Sequence, residues 1–182
     1  MQERSPSSPA LSPARDVDSD GPAAGPTAID GFHLAELNVA RLTRPLDDAE
    51  NAEFVAALGP INAIAEATPG FVWRLTDDDG QSSTYVTIPE IDDPLVIANY
   101  SIWRDVDSLR HYVYRSGHAS YLRRRRDWFE RPSAATTVCW WTPEGTIPGV
   151  AEAYRRLERL RRDGPSADGW PLNRPHPAPV QA

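Results

Sequence analysis

The feature that most constrains this chain is the order of its hydrophobic patterns. FHLAELNVARL, over residues 32–42, reads as a strand. An alanine-rich stretch over 51–68 reads as a helix. Gly59-Pro60 inside it predicts a kink or two short helices, because proline removes an internal hydrogen bond and crowds the preceding turn. GFVWRLT (70–76) is a second strand, closed by a turn at DDDGQ, with a short strand extension over 83–88. PLVIANYSIW (94–103), β-branched and aromatic, is a third. Asp105 or Asp107 then caps a helix that carries Leu109, Tyr112 and Val113 on one side. Ser116-Gly117 breaks it, and a further helix is expected over 118–129. AATTVCWWT (134–142) is a fourth strand. Pro148 opens a last helix with Val150, Ala153, Tyr154, Leu157 and Leu160 in one stripe, and Gly164-Pro165 ends it.

The order β-α-β-β-α-β, followed by an extra helix, is the split-βαβ, ferredoxin-like pattern of the α+β class. In it one sheet face packs on two helices. The other face is expected to be covered by the sheet of a second copy, which predicts a homodimer. Domain boundaries follow from composition. Residues 1–30 are rich in Pro, Ser, Ala and Asp and form an arm expected to be disordered. Residues 31–165 are the folded domain. Residues 166–182 are expected to be a loose tail.

Composition narrows the chemistry. A net charge of −7 argues against nucleic acid as the main partner. All 19 basic side chains are arginine, so lysine Schiff bases and a P-loop lysine are ruled out. No apolar run is long enough to span a bilayer and no signal-peptide pattern opens the sequence, so the expected location is cytoplasmic. Neither CxxC nor HExxH occurs, and no metal is expected. The single cysteine, Cys139, lies in an apolar strand and reads as a small buried residue.

The segment SIWRDVDSLRHYVYRSGH resembles the third-strand and second-helix signature of the dimeric α/β-barrel superfamily: a strand ending in Trp103, an acidic turn at Asp105 and Asp107, then Ser108-Leu109 and an aromatic at Tyr112. HLAELNVARL, INAIAEATPGFVWRL, YRSGHASYLRRRRDWFE and WWTPEGTIPGVAEAYRRLERLRRDGP extend the likeness to an uncharacterised bacterial domain family of that superfamily. The resemblance implies a dimeric α/β barrel. It also implies distant kinship with cofactor-independent monooxygenases of antibiotic biosynthesis, with haem-degrading enzymes and with small isomerases or cyclases. Haem-degrading relatives use an Asn on the first strand with a Trp and a His on the second helix. Asn38 matches the first, but Tyr112 and Leu122 stand at the other two positions.

Strand alternation sorts the candidate site residues. Leu34, Glu36 and Asn38 share one face of the first strand. Asn99 and Trp103 share the corresponding face of the third. With Phe71, Trp73 and Leu75 from the second strand and Trp140 from the fourth, they are expected to line an aromatic cavity facing the barrel, opposite the helix-packing residues. Asn38, His118 and Glu36 are the candidate catalytic groups; Trp73, Asn99, Trp103, Tyr112, Arg123 and Trp140 are the candidate substrate contacts. In the run Arg123 to Arg126 at least one guanidinium is expected to turn inward as an anion anchor. The expectation is an enzyme of secondary metabolism acting on a bulky apolar or aromatic small molecule. It would be a cofactor-independent monooxygenase or an isomerase/cyclase. The alternatives are haem binding through His118 and a non-catalytic ligand-binding dimer.

Overall fold

The structure, a computed structural model, describes residues 31–86, 88–117 and 123–179. The N-terminal arm and His118 therefore lie outside the described residues. Four strands form one sheet: β1 Phe32–Arg41, β2 Phe71–Arg74, β3 Val96–Trp103 and β4 Thr137–Pro143. Three helices that lie wholly within the described residues accompany them: α1 Ala52–Ala67, α2 Val106–Arg115 and α3 Val150–Asp163. The strand order is β2-β3-β1-β4 with antiparallel neighbours throughout. This is the ferredoxin-like arrangement that the sequence pattern predicts, with β1 and β3 at the centre.

α1 runs unbroken through Pro60, against the expectation of a kink or a division. Proline disfavours a helical residue before it by crowding that residue's Cβ, and Gly59 has none. The helix buries Phe54, Ala57, Ile61 and Ala65 along one side. α2 starts where the Asp105 carboxylate accepts a hydrogen bond from the Ser108 amide at 2.7 Å. Gly70, with φ of 89°, lets α2 dock on the start of β2: a Cβ there would lie 2.1 Å from Ser108 Oγ.

Three local expectations differ. Ser83–Tyr85 forms a single 3-10 turn rather than a strand. In the stretch expected as a helix over 118–129, residues 118–122 lie outside the described residues, 123–124 are helical, and a 3-10 turn at Arg125–Asp127 ends the helix early, after which Phe129 bridges to Leu42. The segment after α3 is not loose. Trp170 pairs with Cys139 through two backbone hydrogen bonds, of 2.8 and 3.0 Å, along the outer edge of β4. Trp170 and Leu172 are buried, and Trp141 Nε1 donates to the His176 carbonyl at 3.1 Å. An edge strand's free amides and carbonyls and an aromatic side chain give that segment a docking site that proline content alone conceals.

The core divides at the sheet. On one face Leu34, Trp103, Cys139 and Trp141 pack with Ile61, Ala65, Leu109 and Tyr112 of α1 and α2 and with Trp170 and Leu172. On the other, Ala35, Leu37, Tyr100, Ile102 and Trp140 pack with Ala153, Leu157 and Leu160 of α3 and with Ile88. The face that the sequence assigns to a partner's sheet is thus covered by the chain's own α3. Among the described residues, no helix is long and apolar enough to cross a membrane.

Candidate functional site

Directly opposed residues on antiparallel neighbours lie about 5 Å apart, so the strand registers define three cross-strand rows on the face toward α1 and α2. The first is aromatic and apolar: Phe71, Trp103, Leu34 and Trp141. The second carries the ionisable groups: Arg74, Ser101, Glu36 and Cys139. The third is polar and neutral: Asn99, Asn38 and Thr137.

A register shift between Phe71 and Trp73 builds this floor. Strict alternation would put Phe71, Trp73 and Leu75 on one face and Arg74 on the other. The bulge at Val72, which is 43% exposed, spends one extra residue. Phe71 then packs against Trp103 with ring centroids 5.4 Å apart. Arg74 is re-aimed toward α1, where its Nε bonds Glu66 Oε1 at 2.7 Å. Trp73 and Leu75 go to the α3 face.

Glu36 is the centre of the second row. Ser101 Oγ donates to its Oε2 at 3.2 Å, and Trp103 Nε1 donates to Ser101 Oγ at 2.9 Å. Indole N–H is only a donor, so it occupies the serine as acceptor and leaves the hydroxyl proton for the carboxylate. Among the described residues Oε1 of Glu36 accepts no hydrogen bond. Burial pushes the Glu36 carboxyl up to about 8, and the Ser101 hydrogen bond pulls the other way. Tyr112 stacks on Trp103 with centroids 5.1 Å apart. Its phenol is raised first by burial and then by Glu36, with Arg74 acting in the opposite direction. Tyr112 is therefore within electrostatic range of both. Burial, then Glu36, also holds the Cys139 thiol protonated.

In the third row Asn38 Nδ2 donates to Thr137 Oγ1 at 2.7 Å. Ser83 Oγ donates to Asn99 Oδ1 at 3.3 Å. Beside Arg74 a cleft of about 330 Å³ opens between α1 and the turn after β2, lined by Val55, Leu58, Asn62, Glu66, Arg74 and Ser82.

Glu36, Asn38, Asn99, Trp103 and Tyr112 are brought together, but on the helix-facing side of the sheet rather than opposite it. Trp73 and Trp140 are not with them. Trp140 opposes Ala35 and lies with Tyr100 under α3. Arg123 and its three neighbours are exposed, and Arg124 pairs with Glu53 and Asp127. The inward guanidinium is Arg74, its side chain 13% exposed. Sequence reasoning missed Arg74 because it turns on the bulge, and missed Ser101 because a serine in a strand carries no signal until its register to Glu36 is known.

No curated protein matches the chain. Solved structures with a similar fold include SnoaB, a cofactor-independent oxygenase from Streptomyces nogalater. It is 18% identical, with 64% of this chain and 98% of that one covered and a TM-score of 0.41. PA3566 from Pseudomonas aeruginosa is 11% identical, with 63% and 96% covered and a TM-score of 0.41. A dabb family protein with a ferredoxin-like fold from Mesorhizobium loti is 14% identical, with 64% and 99% covered and a TM-score of 0.39. Over residues 33–182 the chain matches, and so belongs to, the family described as a domain of unknown function, DUF3291.

Proposed function

We propose that the protein is a small-molecule enzyme that moves a proton on a bulky apolar or aromatic substrate, with Glu36 as the acid/base group. One observation carries this reading. A carboxyl group sits in the middle of the sheet with a single hydrogen-bond donor, Ser101, and with Trp103 and Tyr112 in the adjoining core. A carboxyl left this poorly solvated is a stronger base than one in water, and a group titrating near 8 matches proton transfer at neutral pH.

Removing a proton from carbon next to a carbonyl, or from a phenolic hydroxyl, gives a delocalised anion. That anion is the form that dioxygen attacks without a cofactor. It is also the form that reprotonates elsewhere in an isomerisation or adds to an internal carbonyl in a cyclisation. The aromatic row would hold the ring on one side of Glu36, and Asn38 and Asn99 offer amide groups in the row on its other side. The flanking apolar wall would exclude water from the anion.

The test is deuterium incorporation from heavy water into enolisable aryl ketones and aryl 1,3-diketones, followed by NMR. The wild-type chain is expected to accelerate exchange, and Glu36→Gln to lose that acceleration while retaining its fold. Equal exchange rates in the two proteins would sink the assignment.

A further inference from the structure

The second row has a charged end that proton transfer does not use. Arg74 lies across β3 from Glu36, with Ser101 between them. Two strand spacings separate the two backbones, about 10 Å. Tyr112 feels the charge of both. The guanidinium is largely withdrawn from solvent and two of its three nitrogens are engaged: Nε in an ion pair with Glu66 and Nη1 with the Gln81 carbonyl. Nη2 has no partner among the described residues. Glu66 is half exposed and lies on the rim of the cleft. A planar fork with a spare N–H, in a cleft lined by Val55 and Leu58 together with Asn62, Glu66 and Ser82, is suited to a carboxylate or a delocalised oxyanion.

We infer that Arg74 anchors an anionic oxygen of the substrate, so that the ligand is a bulky apolar or aromatic acid which enters between α1 and the turn after β2 and presents its reacting carbon to Glu36. The role of Glu36 in this statement rests on the reading above; the anion anchor does not. Glu66 is the internal competitor. It holds the guanidinium in place when the cleft is empty, and an incoming carboxylate must share or displace it.

The experiment is calorimetric titration of the full chain with 1-hydroxy-2-naphthoate and with its methyl ester, which keeps the rings and removes the charge. The wild-type protein is expected to bind the acid at least tenfold more tightly than the ester. Arg74→Gln should abolish that preference with little change in ester binding. Glu66→Gln should strengthen binding of the acid severalfold, which a purely structural ion pair would not do. Glu36→Gln should keep the preference while losing proton exchange, so failure of the anchor and failure of the acid/base assignment are separable. Equal binding of acid and ester by the wild-type chain, binding of neither, or a preference that survives Arg74→Gln would each overturn the proposal.

Discussion

The two faces of this sheet are built from the same strands and bury similar numbers of large side chains, yet they are different materials. Toward α3 the residues are Leu37, Tyr100, Ile102, Trp140 and Leu157, all essentially without exposure. Their polar atoms are few: the Tyr100 hydroxyl donates to the Pro148 carbonyl at 2.8 Å. Trp140 Nε1 is one of two buried side-chain polar atoms with no partner among the described residues. Toward α1 and α2 the same alternation delivers Glu36, Ser101, Asn38 and Arg74 into a layer that also holds Trp103 and Tyr112, with Asn99 exposed at its margin. One face is packed, over β1 and β4, by a helix that follows in the same chain. The other keeps a polar floor beneath two helices and a cleft. Separating the two jobs lets apolar burial on one side offset the cost of desolvated polar groups on the other.

The sharpest test of that division is Leu157→Ala. This side chain is fully buried against the α3 face. Its truncation should cost about 2–5 kcal/mol in chemical denaturation and leave the acid-over-ester preference untouched. A change in ligand preference would mean that the two faces are coupled.

Glu36→Gln probes the other side through pH. The carboxyl ordinarily titrates at 4.5 and is held at about 8 in the folded chain. Between those values the folded protein keeps a proton that the unfolded chain has released. Stability should therefore fall as pH rises through that window and level off above it. The glutamine variant should show a flatter melting temperature over the same range. If Glu36 acts as a base, kcat/KM should rise with pH through about 8 in the wild-type enzyme.

Ser101→Ala is expected to have a smaller effect on stability, about 1–3 kcal/mol, because it leaves the buried Trp103 Nε1 without its acceptor. Its distinguishing readout is the pH profile. The hydroxyl lowers the Glu36 value, so its loss should move the midpoint upward. An unmoved midpoint would remove Ser101 as a positioning residue. Smallest of all should be Arg124→Ala. This arginine pairs with exposed Glu53 and Asp127 and lies over the Trp128 ring at 4.9 Å. Surface pairs of this kind contribute little, and the denaturation midpoint should not move measurably.

The fold was legible because it depends on pattern order, which survives errors of a few residues at any boundary. Leu34, Glu36 and Asn38 were correctly grouped on one face, and Asn99 and Trp103 on the matching one, because β1 and β3 pair without interruption. The side on which that group lies was not legible. Both faces carry aromatic residues, and only the docking of α1, α2 and α3 decides which is which. β2 misled for a local reason: a single bulged residue at Val72 inverts the parity that places Trp73 and Arg74. Trp140 and Trp141 are neighbours on opposite faces, and only the Leu34↔Trp141 pairing assigns them. The arginine run drew attention through composition, whereas the inward guanidinium stood alone in FVWRLT.

The backbone bridge between Cys139 and Trp170 has a consequence for biogenesis. β4 leaves the ribosome before the segment that caps its outer edge, and all of α3 is made in between. During that interval the nascent sheet presents an unpaired strand carrying Trp140 and Trp141, the kind of edge that recruits other chains. A truncation after Gly164 would make that transient state permanent. Such a chain should aggregate on expression even though it retains every helix and strand of the sheet domain, whereas a tag appended beyond the capping segment should be tolerated.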